Sequence, residues 1–94
     1  MLRQAVALNP RDSDAHLRLA RGLLAAGRAD EARHAYAQAL SLAPDSAEVH
    51  LATGAALLEM GEIEQAYQVL SQAADLDPRS AEVQAAFGRA AMQA

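Results

Sequence analysis

The sequence predicts an all-α fold, an α-solenoid of about five helices stacked in antiparallel pairs, and three observations predict it. An internal repeat of 34 residues runs along the chain: Pro10, Pro44 and Pro78 fall one period apart, as do Gly27 and Gly61, His16 and His50, and the series Leu8, Leu42 and Leu76. Of the 94 residues, 52% are hydrophobic but only 3% aromatic. The apolar supply is therefore mainly Ala and Leu, which form helices readily and let them approach closely; a β-sandwich would call for β-branched and aromatic residues. Finally, Gly27, Gly61 and the three prolines sit where helices must stop.

Taken in order, residues 1–8 read as the last two turns of a second helix from an earlier unit. Asp12, Ser46 and Ser80 each follow a proline and suit a helix N-cap, where a side-chain oxygen accepts from free first-turn amides. Asp14, Glu48 and Glu82 then place a carboxylate in each first turn, complementing the positive end of the helix dipole. First helices are expected over 13–26, 47–60 and from 81 onward. Gly27 and Gly61 suit a left-handed residue closing them. Second helices are expected over 30–42 and 64–76, with Glu62 and Glu64 supplying cap and dipole chemistry at the start of the latter. One domain results: the end of a preceding repeat (1–12), repeats at 13–46 and 47–80, and the first helix of a further repeat (81–94).

Charge and composition exclude several functions. Twelve acidic against eight basic residues give a net charge of −4, the wrong sign for a general nucleic-acid binder. All the basic side chains except histidine are arginine, which with the abundant alanine suggests a GC-rich bacterial gene. There is no cysteine, so disulfides, thiolate metal sites and cysteine nucleophiles are ruled out. The first residues lack the apolar core of a signal peptide. No apolar run approaches the ~20 residues needed to span a bilayer, so a soluble chain without direct membrane insertion is expected, cytoplasmic by default. No phosphate loop, nucleophile elbow or HExxH spacing occurs, and no serine has a histidine placed to activate it. His16 and His50 occupy equivalent slots on successive first helices, about 8–10 Å apart, too far to share one ion with bonds of about 2.0–2.1 Å. Histidine replacing a bulky packing residue is the better reading, with His34 on the outside of a second helix. No enzyme, metal or cofactor is expected.

The repeat resembles the tetratricopeptide repeat, whose pattern is W-x-x-L-G-x-x-Y, then A-x-x-x-F, then P. The first unit reads His16-x-x-Leu19-Ala20-x-x-Leu23, Ala32-x-x-x-Tyr36, Pro44; the second His50-x-x-Thr53-Gly54-x-x-Leu57, Ala66-x-x-x-Leu70, Pro78; the third begins Gln84-x-x-Phe87-Gly88-x-x-Ala91. The resemblance covers nearly the whole chain. His16, His50 and Gln84 depart from its tryptophan slot, while Ala20, Gly54 and Gly88 keep the small residue where paired helices touch.

The resemblance implies a superhelix whose first helices line a concave groove that holds a protein or peptide partner. By position, that inner face carries the rows Leu17, Leu51 and Ala85; Arg21, Ala55 and Arg89; and Leu24, Leu58 and Met92; with Asp14, Glu48 and Glu82 along the edge. Leu17 and Leu51 are expected to be exposed, because Leu19, Ala20, Leu23 and their counterparts already fill the core slots. Leu24 and Leu58 serve equally well as core. An apolar groove with an acidic edge suits an apolar or amphipathic segment of some basic character. The carboxylate clamp of chaperone-binding members is a poor fit, since Leu17, Leu51, Ala55, Glu82 and Ala86 leave Arg21 as the one basic residue at the corresponding positions. The reading is a protein-interaction scaffold. Its alternatives are a structural module that self-associates through uncapped repeat ends, Val83, Phe87, Ala90 and Ala91 having no following helix in this sequence to cover them, and a non-catalytic appendage of a larger multidomain protein.

Overall fold

A computed structural model describes residues 13–93. Among them the regular structure is helical: α1 (Ser13–Ala25), α2 (Ala29–Leu42), α3 (Ala47–Glu59), α4 (Ile63–Leu76) and α5 (Ala81–Gln93). The expected helix over 1–8 and the Asp12 cap lie outside the described residues. First helices end, and second helices begin, one residue before the positions the sequence suggests. The reason is the closing turn. Gly27 and Gly61 both have φ +80°, a left-handed conformation that costs glycine no Cβ clash. The Gly27 N–H then donates to the Leu24 carbonyl at 3.0 Å and the Arg28 N–H to the Leu23 carbonyl at 2.8 Å; Gly61 and Glu62 donate in the same way to Leu58 and Leu57. This pair of bonds satisfies two orphan helix carbonyls within a three-residue turn, so the next helix starts at once.

The helix starts are capped unequally. The Ser46 hydroxyl accepts from the Val49 N–H at 3.2 Å and the Ser80 hydroxyl from the Val83 N–H at 3.3 Å, as the sequence suggests. Glu62 precedes α4 without a side-chain cap bond, contrary to the cap role expected of it. Its backbone, at φ −87° and ψ 69°, is pulled into the tight turn and departs from the extended geometry of Ser46, at φ −92° and ψ 113°. Glu64 still lies in the first turn of α4, where its charge favours the helix.

The chain divides into two compact units, Met1–Pro44 and Asp45–Ala94. In the first, α1 packs against α2, and Ala20, Ala32 and Ala39 are wholly buried with Leu23 and Tyr36 beside them. Alanine at such positions brings helix backbones together and leaves the large residues to fill what remains. In the second unit, α4 packs against both α3 and α5, and α3 also meets α5. Its core is Leu57, Ala66, Leu70, Ala86 and Ala90, with Leu51, Leu58, Met60, Val69 and Phe87 packed against it. Leu70 is fully buried and lies so close to Gly54 that a Cβ there would collide with its side chain. The Tyr67 and Phe87 rings stack at 5.2 Å between α4 and α5. The buried Thr53 hydroxyl donates to the Val49 carbonyl at 2.8 Å, so this polar group in an apolar stripe is satisfied within its own helix. Among the described residues no helix is long and apolar enough to cross a membrane.

Candidate functional site

The residues expected on the inner face divide by burial. Asp14, Arg21, Glu48, Glu82, Ala85, Arg89 and Met92 are all exposed. Leu24, Ala55, Leu51 and Leu58 are half-buried, and Leu51 and Leu58 pack against the core of the second unit. Leu17 corrects the expectation outright: it is only 3% exposed. The buried residues of α1 are Ala15, His16, Leu17, Ala20 and Leu23, which span about 200° of the helix at 3.6 residues per turn. A single amphipathic stripe needs only about 100°, and assigning core slots from one such stripe leaves Leu17 outside it. Leu51 is likewise less open than expected, being wedged against the core on one side. The exposed part of the first-helix surface is thus mainly charged and small, with leucine set behind it.

Histidine separates the two units. His50 is buried, at 4% exposure. Its Nδ1 lies 2.8 Å from the Ser46 carbonyl oxygen, and its Nε2 lies 3.1 Å from Oε1 of Gln72 on α4. A carbonyl only accepts, so Nδ1 carries a proton and donates to it. In the neutral ring Nε2 then accepts, so the contact that joins α3 to α4 is a hydrogen bond with the Gln72 amide turned to present its N–H, the amide's O and N being interchangeable by a flip. One period earlier stand His16 and Gln38, the same two residue types, but there the Gln38 amide lies 3.4 Å from Nε2 of His34, on its own helix. His34 is exposed, as expected, and its counterpart one period on is Gln68.

Where Gln38 turns aside, the first unit has a cleft of about 530 Å³ lined by both α1 and α2. Among the described residues, Leu19, Leu23 and Ala35 give its apolar wall, Asp30 and Glu31 stand at the start of α2, and His16, His34 and Gln38 also line it. Glu31 also meets Arg28 at 3.5 Å, both side chains being about half exposed or more. In the second unit the slot of Leu19 holds the buried Thr53, and the slot of Ala35 holds the larger Val69, packed against the core. Sequence reasoning did not find this cleft, although comparing the repeats residue by residue carries the signal: the wall residues and the partner of glutamine change while the histidine and glutamine persist. Among the described residues, no cluster of three or more His, Asp or Glu side chains could hold a metal ion.

Two stretches of the chain, residues 1–52 and 23–92, match the family model described as Tetratricopeptide repeat. No curated protein matches the sequence. Among solved structures, a thermophilic TPR protein from Thermus thermophilus superposes with a TM-score of 0.86 at 26% identity; the match covers 97% of this chain and 46% of that one. The chain therefore spans about half the length of that protein. The type III secretion chaperone SycD of Yersinia enterocolitica, in complex with a peptide of the translocator YopD, superposes with a TM-score of 0.80 at 21% identity, over 98% of this chain and 76% of that one. The second likeness is one of fold.

Proposed function

The chain belongs to the tetratricopeptide-repeat family, and on that premise we propose that it is a protein-interaction scaffold that holds a partner segment in a concave groove along its first helices. The observation that carries this reading is the set of polar residues those helices repeat. An acidic residue stands in the first turn of each (Asp14, Glu48, Glu82), and arginine is exposed two turns on in α1 and α5 (Arg21, Arg89). In the second unit, α3 and α5 touch, so Glu48, Ala55, Ala85 and Arg89 belong to neighbouring helices, and Leu51 and Leu58 lie half-buried behind them. Leu17 drops out of the contact set, being core. The Yersinia chaperone supports the reading only in that its fold is one to which a peptide binds. The partner is a protein or peptide segment of apolar or amphipathic character with some basic residues, drawn by the acidic edge.

Peptides selected from a random display library against the whole chain test this. They should lose at least about tenfold in affinity, or about 1.4 kcal/mol, on Ala85→Glu or Arg89→Glu, with helicity unchanged by circular dichroism. Undiminished binding by both variants would remove the first-helix surface from the function. The alternative of self-assembly is favoured by a different observation: Met92 is 89% exposed, and Leu76 and Tyr67 are also open in the same unit. It expects a concentration-dependent mass in sedimentation that Met92→Glu lowers.

A further inference from the structure

We propose that α5 takes up residues 1–8 of a second copy of this chain, so that copies join head to tail and complete a helix hairpin between them. The inference deepens the self-assembly reading, on which it rests, by naming the two surfaces that meet. The first is a face of α5. In α3 the equivalent face is covered by α4. There His50 and Leu57 are 4% and 5% exposed, Gly54 is buried, and Leu70 of α4 sits so close to Gly54 that a Cβ would collide with it. One period on, α5 carries Gln84, Gly88 and Ala91. Gln84 and Ala91 are exposed and Gly88 is half-buried, and a Cβ on Gly88 would meet nothing within 4 Å. Among the described residues, the notch that Leu70 fills on α3 is thus open on α5.

The second surface is written in the sequence. Residues 1–8 stand two periods before residues 69–76, the second half of α4. Leu2 takes the slot of Leu70, Gln4 that of Gln72, Ala5 that of the wholly buried Ala73, and Leu8 that of Leu76. Each is the same residue type as its counterpart, and with these α4 covers α3: Leu70 enters the notch and Gln72 bonds to His50. Laid on α5 in the same register, Leu2 enters the notch at Gly88 and Gln4 meets Gln84. The Gln84 amide donates through Nε2 to the Pro78 carbonyl at 3.1 Å and keeps an acceptor oxygen for the incoming amide. The two surfaces differ, so the contact is heterologous and copies join in an open series or a closed ring. It spans about two helical turns, far less than a standard stable interface, so the assembly is transient and depends on concentration.

The test is sedimentation equilibrium of the 94-residue chain up to about 1 mM, a range suited to weak contacts, where the mean mass should rise with concentration. Two variants break opposite surfaces. Leu2→Asp puts a charge on the segment that enters the notch. Gly88→Ala places a methyl group in the notch while favouring α5 itself, so in dilute solution its melting temperature should rise even as its self-association falls, a combination that loss of the fold does not produce. Each variant alone should associate at least about tenfold more weakly than the parent. An equimolar mixture of the two should form a heterodimer and nothing larger, because the Leu2→Asp chain keeps an intact notch and the Gly88→Ala chain keeps an intact residue 1–8 segment. Variants that assemble as well as the parent, or a mixture no heavier than either variant alone, would overturn the head-to-tail docking and leave self-assembly through another surface standing. A parent chain that stays monomeric to about 1 mM would overturn both.

Discussion

Hairpins α1–α2 and α3–α4 share a histidine, a glutamine, a closing glycine and a buried alanine at equivalent slots, yet they use them differently. In the second unit the histidine and glutamine bond to one another across the helix pair, a glycine lets Leu70 press against the α3 backbone, and a third helix, α5, packs on the result. In the first unit the glutamine bonds along its own helix, the glycine slot holds Ala20 and the leucine slot holds Tyr36, and a cleft stays open beside Leu19. The two hairpins thus keep the positions of their packing slots more strictly than the pairings among them.

The largest effect expected to test this contrast is that of Leu70→Ala. It empties a fully buried site and should cost about 2–5 kcal/mol in urea denaturation. Leu19→Ala, at a half-buried position on the cleft wall, should cost about 1 kcal/mol. Equal losses would mean that Leu19 is packed as core and that the recess is closed in solution.

The histidine–glutamine pairing comes next. Gln72→Leu removes the partner of buried His50 and should cost about 1–3 kcal/mol, whereas Gln38→Leu, on the exposed surface of α2, should stay within about 0.5 kcal/mol. Thermal melts of the two variants compare the units directly; matching losses would show that Gln38 also holds its helices together.

Glycine gives a smaller but signed effect. Gly54→Ala gains up to about 1 kcal/mol of helix propensity but forces a methyl group into Leu70, an overpacking worth about 1–3 kcal/mol, so a net loss is expected. In the Leu70→Ala background the collision is gone and the same substitution should become stabilising, a coupling that a double-mutant cycle reads out. Gly88 occupies the identical repeat slot in α5, but a Cβ there would meet nothing within 4 Å. Gly88→Ala should therefore stabilise by about 0.5–1 kcal/mol, opposite in sign to Gly54→Ala.

Much of the architecture is legible without coordinates, because its signals are local. Pro44 and Pro78 stop a helix through their own missing N–H, Gly27 and Gly61 close one through their own φ, and Ser46 and Ser80 cap one by reaching three residues along. The site is less legible. Helical spacing puts Leu17 on the surface because a 3.6-residue period identifies one buried stripe and cannot report that a second side of the same helix is covered. Leu51 and Leu58 share that ambiguity. The cleft escapes because it lies between side chains of two helices, Leu19 and Leu23 on α1 and Ala35 on α2, whose packing no residue spacing encodes.

The sequence by itself determined that this chain is a run of paired helices of the tetratricopeptide kind, where each described helix starts and stops to within a residue, and that its net charge is acidic. Those properties follow from backbone propensity, from dihedral constraints at glycine and proline, and from composition, all of which act within a few residues or over the whole chain. Only the tertiary structure decided which leucines are core, that His50 is tied to Gln72 while Gln38 turns along its own helix to His34, and that one hairpin encloses a recess between a leucine wall and two carboxylates. Those outcomes depend on the relative volumes and orientations of side chains brought together from different helices, and burial there is settled by close packing.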